Sequence, residues 1–416
     1  MLDINFIRQN PKLVKEAARK KRVPVDIDHL LEIDEKRRKL VSQVDRLRGK
    51  RNILAKQRPT EETIEKGKKL KAEIKKLEEE LRPLEKEFRE LMLQVPQIPA
   101  KEVPEGKSDK DNKPIKYWGK KPKFDFPIKN HIELAKNLDL IDFERGVKVS
   151  GFRGYFLKNE AVLLCFGLWD YALKHLMKKG FVPLQAPSLV KELPLIGTGW
   201  FPLGKDDVYA TSDDLFLSGT AEIPVTAYHS GEILKEEELP KKYVAFSPCF
   251  RTEAGSYGKD TKGIFRLHEF MKVEQVVICK AEEKESIHWH EEITKNAEEI
   301  VQALGLHYRV VLNCTGDLGL GQVKKYDIEC WVPSQKRYRE THSSSYFFDF
   351  QTRRLNIRYR TKKGEIKFAH SLNNTAVATP RILTAVLENY QQKDGSVKVP
   401  KILQRYVGKE TIRPRF

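Results

Sequence analysis

Cysteine is scarce in this 416-residue chain, and the five present are scattered. Cys165, Cys249, Cys279, Cys314 and Cys330 form no C-x-x-C pair, so the sequence supports neither a structural zinc site nor a disulfide framework. Reduced thiols in a cytosolic protein fit this usage best. Long apolar runs are missing too. No stretch reaches about 20 apolar residues, and the opening MLDINFIRQNP has no apolar core of signal-peptide length. Both absences argue against secretion and membrane insertion. Of the 10 histidines, His288 and His290 flank Trp289 on a charged helical segment and are expected at the surface rather than on a metal.

Positive charge is abundant. Lys and Arg total 77 against 59 Asp and Glu, a net charge of +18. That balance favours a polyanionic partner, nucleic acid before membrane. The length favours two domains over one.

Residues 1–28 read as a helical lead-in, with Pro11 near a helix start and Pro24 after a helix end. From about His29 the pattern is helical and charged. Ile33, Leu40, Val44, Leu47 and Leu54 fall on one seam, interrupted by Arg37 and Arg51. After a break at Pro59-Thr60 the seam resumes at Ile74, Leu77, Leu81, Leu84, Phe88, Leu91 and Val95. Two amphipathic segments joined by a Pro-containing turn predict an antiparallel helical hairpin. Pro83 inside the second segment predicts a kink. The outer faces are rich in Lys and Arg, which suits either a solvated stalk or an arm laid on phosphates. Residues 96–127, with six prolines, read as a linker.

Beyond the linker, the spacing predicts helices over 131–138 and 159–179. A strand is expected at 181–187, a helix over 281–304 and an alternating strand over 326–333. The stretch Phe246 to Glu274 reads FSPCFRTEAGSYGKDTKGIFRLHEFMKVE. An apolar run, a polar Gly-rich loop from Gly255 to Gly263, and a second run from Ile264 to Val277 predict a long-looped antiparallel hairpin. Residues two apart on a strand share a face. Arg251 and Glu253 are thus expected on one face, and Phe270, Lys272 and Glu274 on another. Such charges suit a ligand combining phosphate, aromatic ring and ammonium, or else form solvated cross-strand pairs. Thr220-Ala221-Glu222 offers a hydroxyl and a carboxylate for an ammonium, and reads equally well as a capping pair.

The stretch at 249–274 resembles motif 2 of class II aminoacyl-tRNA synthetases, most closely that of the seryl-tRNA synthetase family, bacterial type. Ala186-Pro187-Ser188 with the helix before it resembles motif 1, and Pro380-Arg381-Ile382-Leu383 resembles motif 3. Arg339-Glu340-Thr341-His342-Ser343 also resembles that family. It departs from the usual Ser-Ser-Cys-Ser-Asn, having His342-Ser343-Ser344-Ser345-Tyr346 instead, and these changes are expected to alter the site's wall.

The resemblance implies an α+β fold. A class II antiparallel β-sheet catalytic domain flanked by helices (128–416) would follow an N-terminal coiled-coil arm (1–100, hairpin about 29–95) and a linker (101–127). It implies activation of serine by ATP, then transfer to tRNA(Ser), with tRNA(Sec) left open as a second acceptor. By resemblance, Arg251 and Arg381 are the catalytic arginines. Arg251, Thr252, Glu253, Leu267, Phe270, Glu340, Thr341, His342, Ser343 and Arg381 would bind ATP. Thr220, Ala221, Glu222, Arg251, Glu274 and Thr375 would bind serine, and Glu340 with Ser343 would hold Mg2+ through ATP. The resemblance also implies a tRNA-binding arm and a homodimer through motif 1, while the cysteine spacing and the lack of long apolar runs lead to the expectation of no zinc, no membrane association and a cytoplasmic location. An amino-acid:carrier-protein ligase fits the active-site motifs but lacks such an arm. A catalytically silent RNA-binding homologue would keep the arm and lose the arginines.

Overall fold

The computed structural model describes residues 1–415 except Tyr257 and Lys259, two positions of the expected Gly-rich loop. The chain divides into two compact units, Met1–Ile98 and Pro99–Phe416.

The first unit is helical: α1 (Ile4–Gln9), α2 (Pro11–Lys21), α3 (Ile27–Leu54) and α4 (Glu61–Gln94). Local chemistry sets its boundaries. The Asp3 and Asp26 side chains accept from the first free backbone N–H groups of α1 and α3, and Thr60 with Thr63 closes a capping box on α4. Pro11 occupies the first turn of α2, where no N–H is needed. The α3–α4 hairpin follows the expected seam. At its base Ile27, Leu30, Met92 and Val95 pack with Ile7 and Val14; midway Val44, Leu47 and Ile74 form a second cluster. Arg37, which interrupts the seam, lies over the Phe88 ring at 4.4 Å and reaches Asp34 at 3.3 Å. The seam therefore tolerates a cation because an aromatic face and a carboxylate receive it. Pro83 does not end α4, which runs on to Gln94. The proline sits on the exposed side, where one backbone bond is forfeited while Leu81 and Met92 stay buried on the other.

The second unit is built on an eight-stranded sheet: β1 (Lys113–Trp118), β2 (Val182–Gln185), β3 (Lys241–Phe250), β4 (Glu269–Cys279), β5 (Tyr308–Leu312), β6 (Lys324–Val332), β7 (Arg337–Tyr346) and β8 (His370–Ala378). Their spatial order is β1-β5-β6-β7-β8-β4-β3-β2. Every pairing is antiparallel except β2 with β3. The Pro-rich segment read as a linker thus supplies a strand. Pro114 is tolerated there because β1 is an edge strand with only β5 beside it.

One face of the sheet is covered by α6 (Glu160–Lys178), α7 (Glu283–Ala303) and α8 (Thr379–Asn389), which follow the short α5 (His131–Asn137). Leu164, Leu168, Ile293, Ile300, Ile382 and Val386 from these helices meet Val273, Val277, Ile328, Leu372 and Ala376 of the strands in one core. Helices with a sheet of this kind make the unit α+β, as expected. His290 is a correction. It is fully buried, stacks on Tyr326 at 4.7 Å, and its Nε2 lies 3.0 Å from the Ser344 carbonyl. Its place on the inner stripe of α7 outweighs its polarity, and burial pushes its pKa down to about 3, so it is a neutral ring. No described helix is long and apolar enough to cross a membrane.

Ile74→Ala would empty the middle cluster of the hairpin. It is expected to cost roughly 2 kcal/mol and to appear as earlier loss of helical signal in a thermal melt followed by circular dichroism. An unchanged melt would mean that α3 and α4 hold together without that cluster.

Candidate active site

The sheet face opposite the large core carries a polar cavity of about 340 Å3. Its walls come from segments far apart in sequence: Thr220 and Glu222, Arg251 just past β3, Phe270, Lys272 and Glu274 on β4, Lys325 on β6, Glu340 to Ser343 on β7, Asn373, Thr375 and Ala378 on β8, and Arg381 in the first turn of α8. Strand alternation places Phe270, Lys272 and Glu274 together, as expected. The β4–β8 register then sets Thr375 directly opposite Glu274, and the Thr375 hydroxyl donates to Glu274 Oε2 at 3.1 Å. A smaller pocket adjoins, lined by Glu253, Phe265, Leu267 and Pro380 together with Arg251, Arg266, Phe270 and Arg381.

The expected pairing of Arg251 with Glu253 by alternation does not occur. β3 ends at Phe250, and Glu253 has a left-handed backbone with φ of +59°. The two residues still share the smaller pocket, because the chain turns rather than continuing as a strand. The return strand likewise begins at Glu269, not Ile264. Between them Arg266 reaches Glu253 at 2.5 Å, and Asp260 accepts from Arg339 at 2.6 Å. Arg339 in turn lies over Phe265 at 3.7 Å. These contacts tie the loop back onto β7.

Two of the expected site residues line neither pocket. Ala221 is buried against Val225 and Tyr243. The Thr252 hydroxyl donates to the Asp206 carbonyl, holding the loop of residues 205–207. Of the two unusual positions, His342 lines the cavity, whereas Tyr346 is in the large core beside His290 at 5.1 Å. Wall residues that sequence reasoning did not assign are Trp200, Arg266, Lys272, Gln322, Lys325, Asn373 and Ala378. Lys272 was legible from its spacing to Glu274. Trp200 and Lys325 arrive by tertiary approach and leave no local signal.

Charge dominates the site. Arg251, Arg266, Lys272, Lys325 and Arg381 face it against Glu222, Glu274 and Glu340, an excess of cations that suits a polyanion. Arg381 holds Glu340 Oε1 at 3.0 Å and also donates to its carbonyl at 3.2 Å. Burial alone would raise the Glu340 carboxyl, but Arg381 and Lys325 outweigh it and keep the group ionised. Lys272 sits between Glu274 Oε2 at 2.7 Å and the Thr220 hydroxyl at 2.6 Å. Arg251 donates to the Gly219 carbonyl at 3.2 Å, with Trp200 and Phe270 rings each 5.6 Å away. Burial, then the neighbouring Glu274, raises Glu222 to about 7. Burial lowers His342 to about 3, so its imidazole is neutral. The amide nitrogen of Asn373 is buried there without a hydrogen-bond partner, an arrangement that a ligand acceptor would complete.

This combination of aromatic rings, cations and carboxylates in one cavity suits a nucleotide and an amino acid side by side. Family models agree. The seryl-tRNA synthetase N-terminal domain matches residues 1–99, and the tRNA synthetase class II core domain (G, H, P, S and T) matches residues 207–390. The serine--tRNA ligase of Deinococcus radiodurans is 46% identical over 98% of both chains. The chain belongs to the seryl-tRNA synthetase family. Two solved seryl-tRNA synthetases share its architecture. That from Pyrococcus horikoshii, complexed with ATP, superposes with a TM-score of 0.92 at 41% identity over 100% of both chains. The cytoplasmic enzyme from Naegleria fowleri, in complex with AMP, gives 0.88 at 33% identity over 100% of this chain and 99% of its own.

In this seryl-tRNA synthetase, removing one member of the buried Lys272–Glu274 pair leaves an uncompensated charge. Lys272→Met is expected to lower stability by roughly 3 kcal/mol, measured by urea unfolding. A loss under about 1 kcal/mol would mean that water already screens the pair.

Proposed function

We propose that the cavity joins serine to ATP in the first half of the reaction of this seryl-tRNA synthetase, which charges tRNA with serine. The serine carboxylate attacks the α-phosphorus in line, pyrophosphate leaves, and seryl-adenylate forms. A ribose hydroxyl at the 3′ end of tRNA then attacks the seryl carbonyl, the acyl–phosphate bond breaks and AMP leaves. Since the nucleophile of the first step, the carboxylate, is already an anion, no general base is required there. Rate comes from positioning and from stabilising charge on the phosphates.

The observation that carries this reading is the convergence of Arg251 and Arg381, 130 positions apart in sequence, on one cavity that also holds Thr220, Glu222, Glu274 and Thr375. In the proposed roles Arg251 bridges the α-phosphate and the serine carboxylate, and Arg381 holds the γ-phosphate. Phe270 stacks on adenine, and Glu253 with Leu267 frames it in the adjoining pocket. Glu222 receives the serine ammonium, while Glu274 and Thr375 meet the hydroxyl. A pocket built to bond a hydroxyl rejects alanine, which would leave those groups unpaired. The residues fit Mg2+ brought in on ATP: Glu340 is a carboxylate kept ionised by its neighbours, Ser343 adds a hydroxyl, and the remaining oxygens would be phosphate and water. The ion would neutralise phosphate charge.

The helical unit would serve as the tRNA arm, supported by its Lys and Arg faces, with tRNA(Ser) as partner. A homodimer through α6 is supported by Leu163, Phe166 and Met177, which are 42%, 59% and 47% exposed and recur on one helical face. Such an enzyme would act in the cytoplasm, beside its tRNA.

ATP–pyrophosphate exchange, run over the standard amino acids without tRNA, is expected with serine alone. Its absence with every amino acid, from folded protein, would turn the reading toward an RNA-binding homologue. Arg251→Ala should abolish exchange and leave the circular dichroism spectrum intact; normal exchange in that variant would remove Arg251 from the site.

A pH dependence also follows. Glu222 titrates near 7 in the empty site, and an ammonium partner favours its charged form. Serine affinity should therefore be full above about pH 8 and weaken as pH falls through 7, by up to tenfold per unit. Glu222→Gln should flatten that acid limb.

A further inference from the structure

Gln351 belongs to the short helix Phe350–Leu355 and is fully buried. Its amide nitrogen donates to Glu222 Oε1 at 2.8 Å and to the Thr198 carbonyl at 3.3 Å. Its amide oxygen accepts from the Ser371 hydroxyl at 2.7 Å. A backbone carbonyl can only accept, so Thr198 decides which end of the amide is nitrogen. One side chain thereby joins the Gly197-Thr198-Gly199 segment, the helix that starts at Glu222, its own helix and β8. All of its polar atoms are used, and one of the three bonds ends on a carboxylate of the cavity wall.

We propose that Gln351 is a positioning residue for serine activation, which holds Glu222 Oε1 so that the other carboxylate oxygen, still charged, is offered to the substrate ammonium. The proposal rests on the reading of Glu222 as the ammonium partner.

Glu222 needs such support. Burial and Glu274 both push it toward the neutral acid, and a neutral acid loses the charge that attracts an ammonium. Lys272 and Arg251 oppose them from β4 and from the end of β3, yet Lys272 is already engaged by Glu274 and Thr220. A donor aimed at one carboxylate oxygen favours the ionised form and also fixes the plane of the group. The bond that Ser371 makes to the far end of the amide polarises it further in the same sense. A glutamine serving only as core filler would do none of this: its loss would weaken the fold and disturb serine and ATP alike.

The test uses the full chain in ATP–pyrophosphate exchange from pH 5.5 to 9, with serine and ATP varied separately. Gln351→Met keeps the volume and removes the amide. At pH 7 its KM for serine should rise roughly tenfold while its KM for ATP stays within about twofold. The acid limb of kcat/KM for serine should move up by roughly one pH unit. Ser371→Ala, a smaller change that protects against a folding failure, should shift the limb the same way by less. An unmoved limb in folded Gln351→Met, or in Ser371→Ala if the first variant does not fold, would overturn the proposal. So would an equal rise in both KM values. Glu222→Gln separates the two levels of inference. If the wild type has an acid limb and Glu222→Gln retains it, the reading of Glu222 fails and the role of Gln351 fails with it. If Glu222→Gln loses the limb and Gln351→Met leaves it in place, only the role of Gln351 fails.

Discussion

Gln275 on β4 donates to Asn374 on β8 at 2.6 Å, across the middle of the sheet and on its buried face. Asn296 of α7 donates to the other end of Gln275 at 2.8 Å, and Asn374 donates onward to the Ser343 carbonyl of β7 at 3.2 Å. Unpaired amides are costly inside an apolar core, so this chain of bonds permits one register of β4, β8 and β7. The cavity depends on that register. With Gln275 and Asn374 turned inward, Glu274 and Thr375 must turn outward and meet. A slip of one residue would drive Glu274 into the face packed by α6 and α7 and would bring valines to the site. The irregularity between Thr375 and Val377 then re-phases β8, so that Ala378 reaches the cavity and the chain enters α8 with Arg381 in its first turn.

Within that frame the site manages charge in local pairs. Arg381 lies against Glu340, which it helps keep ionised, and Lys272 lies against Glu274. The arginines also have geometric anchors of other kinds, a carbonyl for Arg251 and an adjacent strand for Arg381. Preorganised cations of this sort need no rearrangement as charge develops on phosphate oxygens. The loop after β3 is fastened separately, by Arg266 on Glu253 and Arg339 on Asp260.

Much of this was legible in the chain, for identifiable reasons. The hairpin arm could be read because its seam repeats, and the face shared by Phe270, Lys272 and Glu274 because β4 is a long regular strand. Arg251 and Glu253 defeated the same rule, since alternation ends where the strand ends. His290 was misplaced because a helix stripe is decided by what packs on it, here Tyr326, and not by side-chain polarity. Pro83 lies inside α4, which continues through it to Gln94 because packing on the far side supports the turn. Trp200, Lys325 and Gln351 lay beyond reach: each owes its position to segments distant in sequence, and no local pattern encodes that approach.

Glu222 has one more consequence. A carboxyl that titrates near 7 is about half protonated at neutral pH when the cavity is empty. Filling its place with a fixed positive charge must expel that proton into solvent. Ligand entry is then a proton-releasing event, and its calorimetric heat includes the ionisation heat of whatever buffer takes up the proton. Two buffers of equal pH and different protonation enthalpy would report different apparent enthalpies for the same complex.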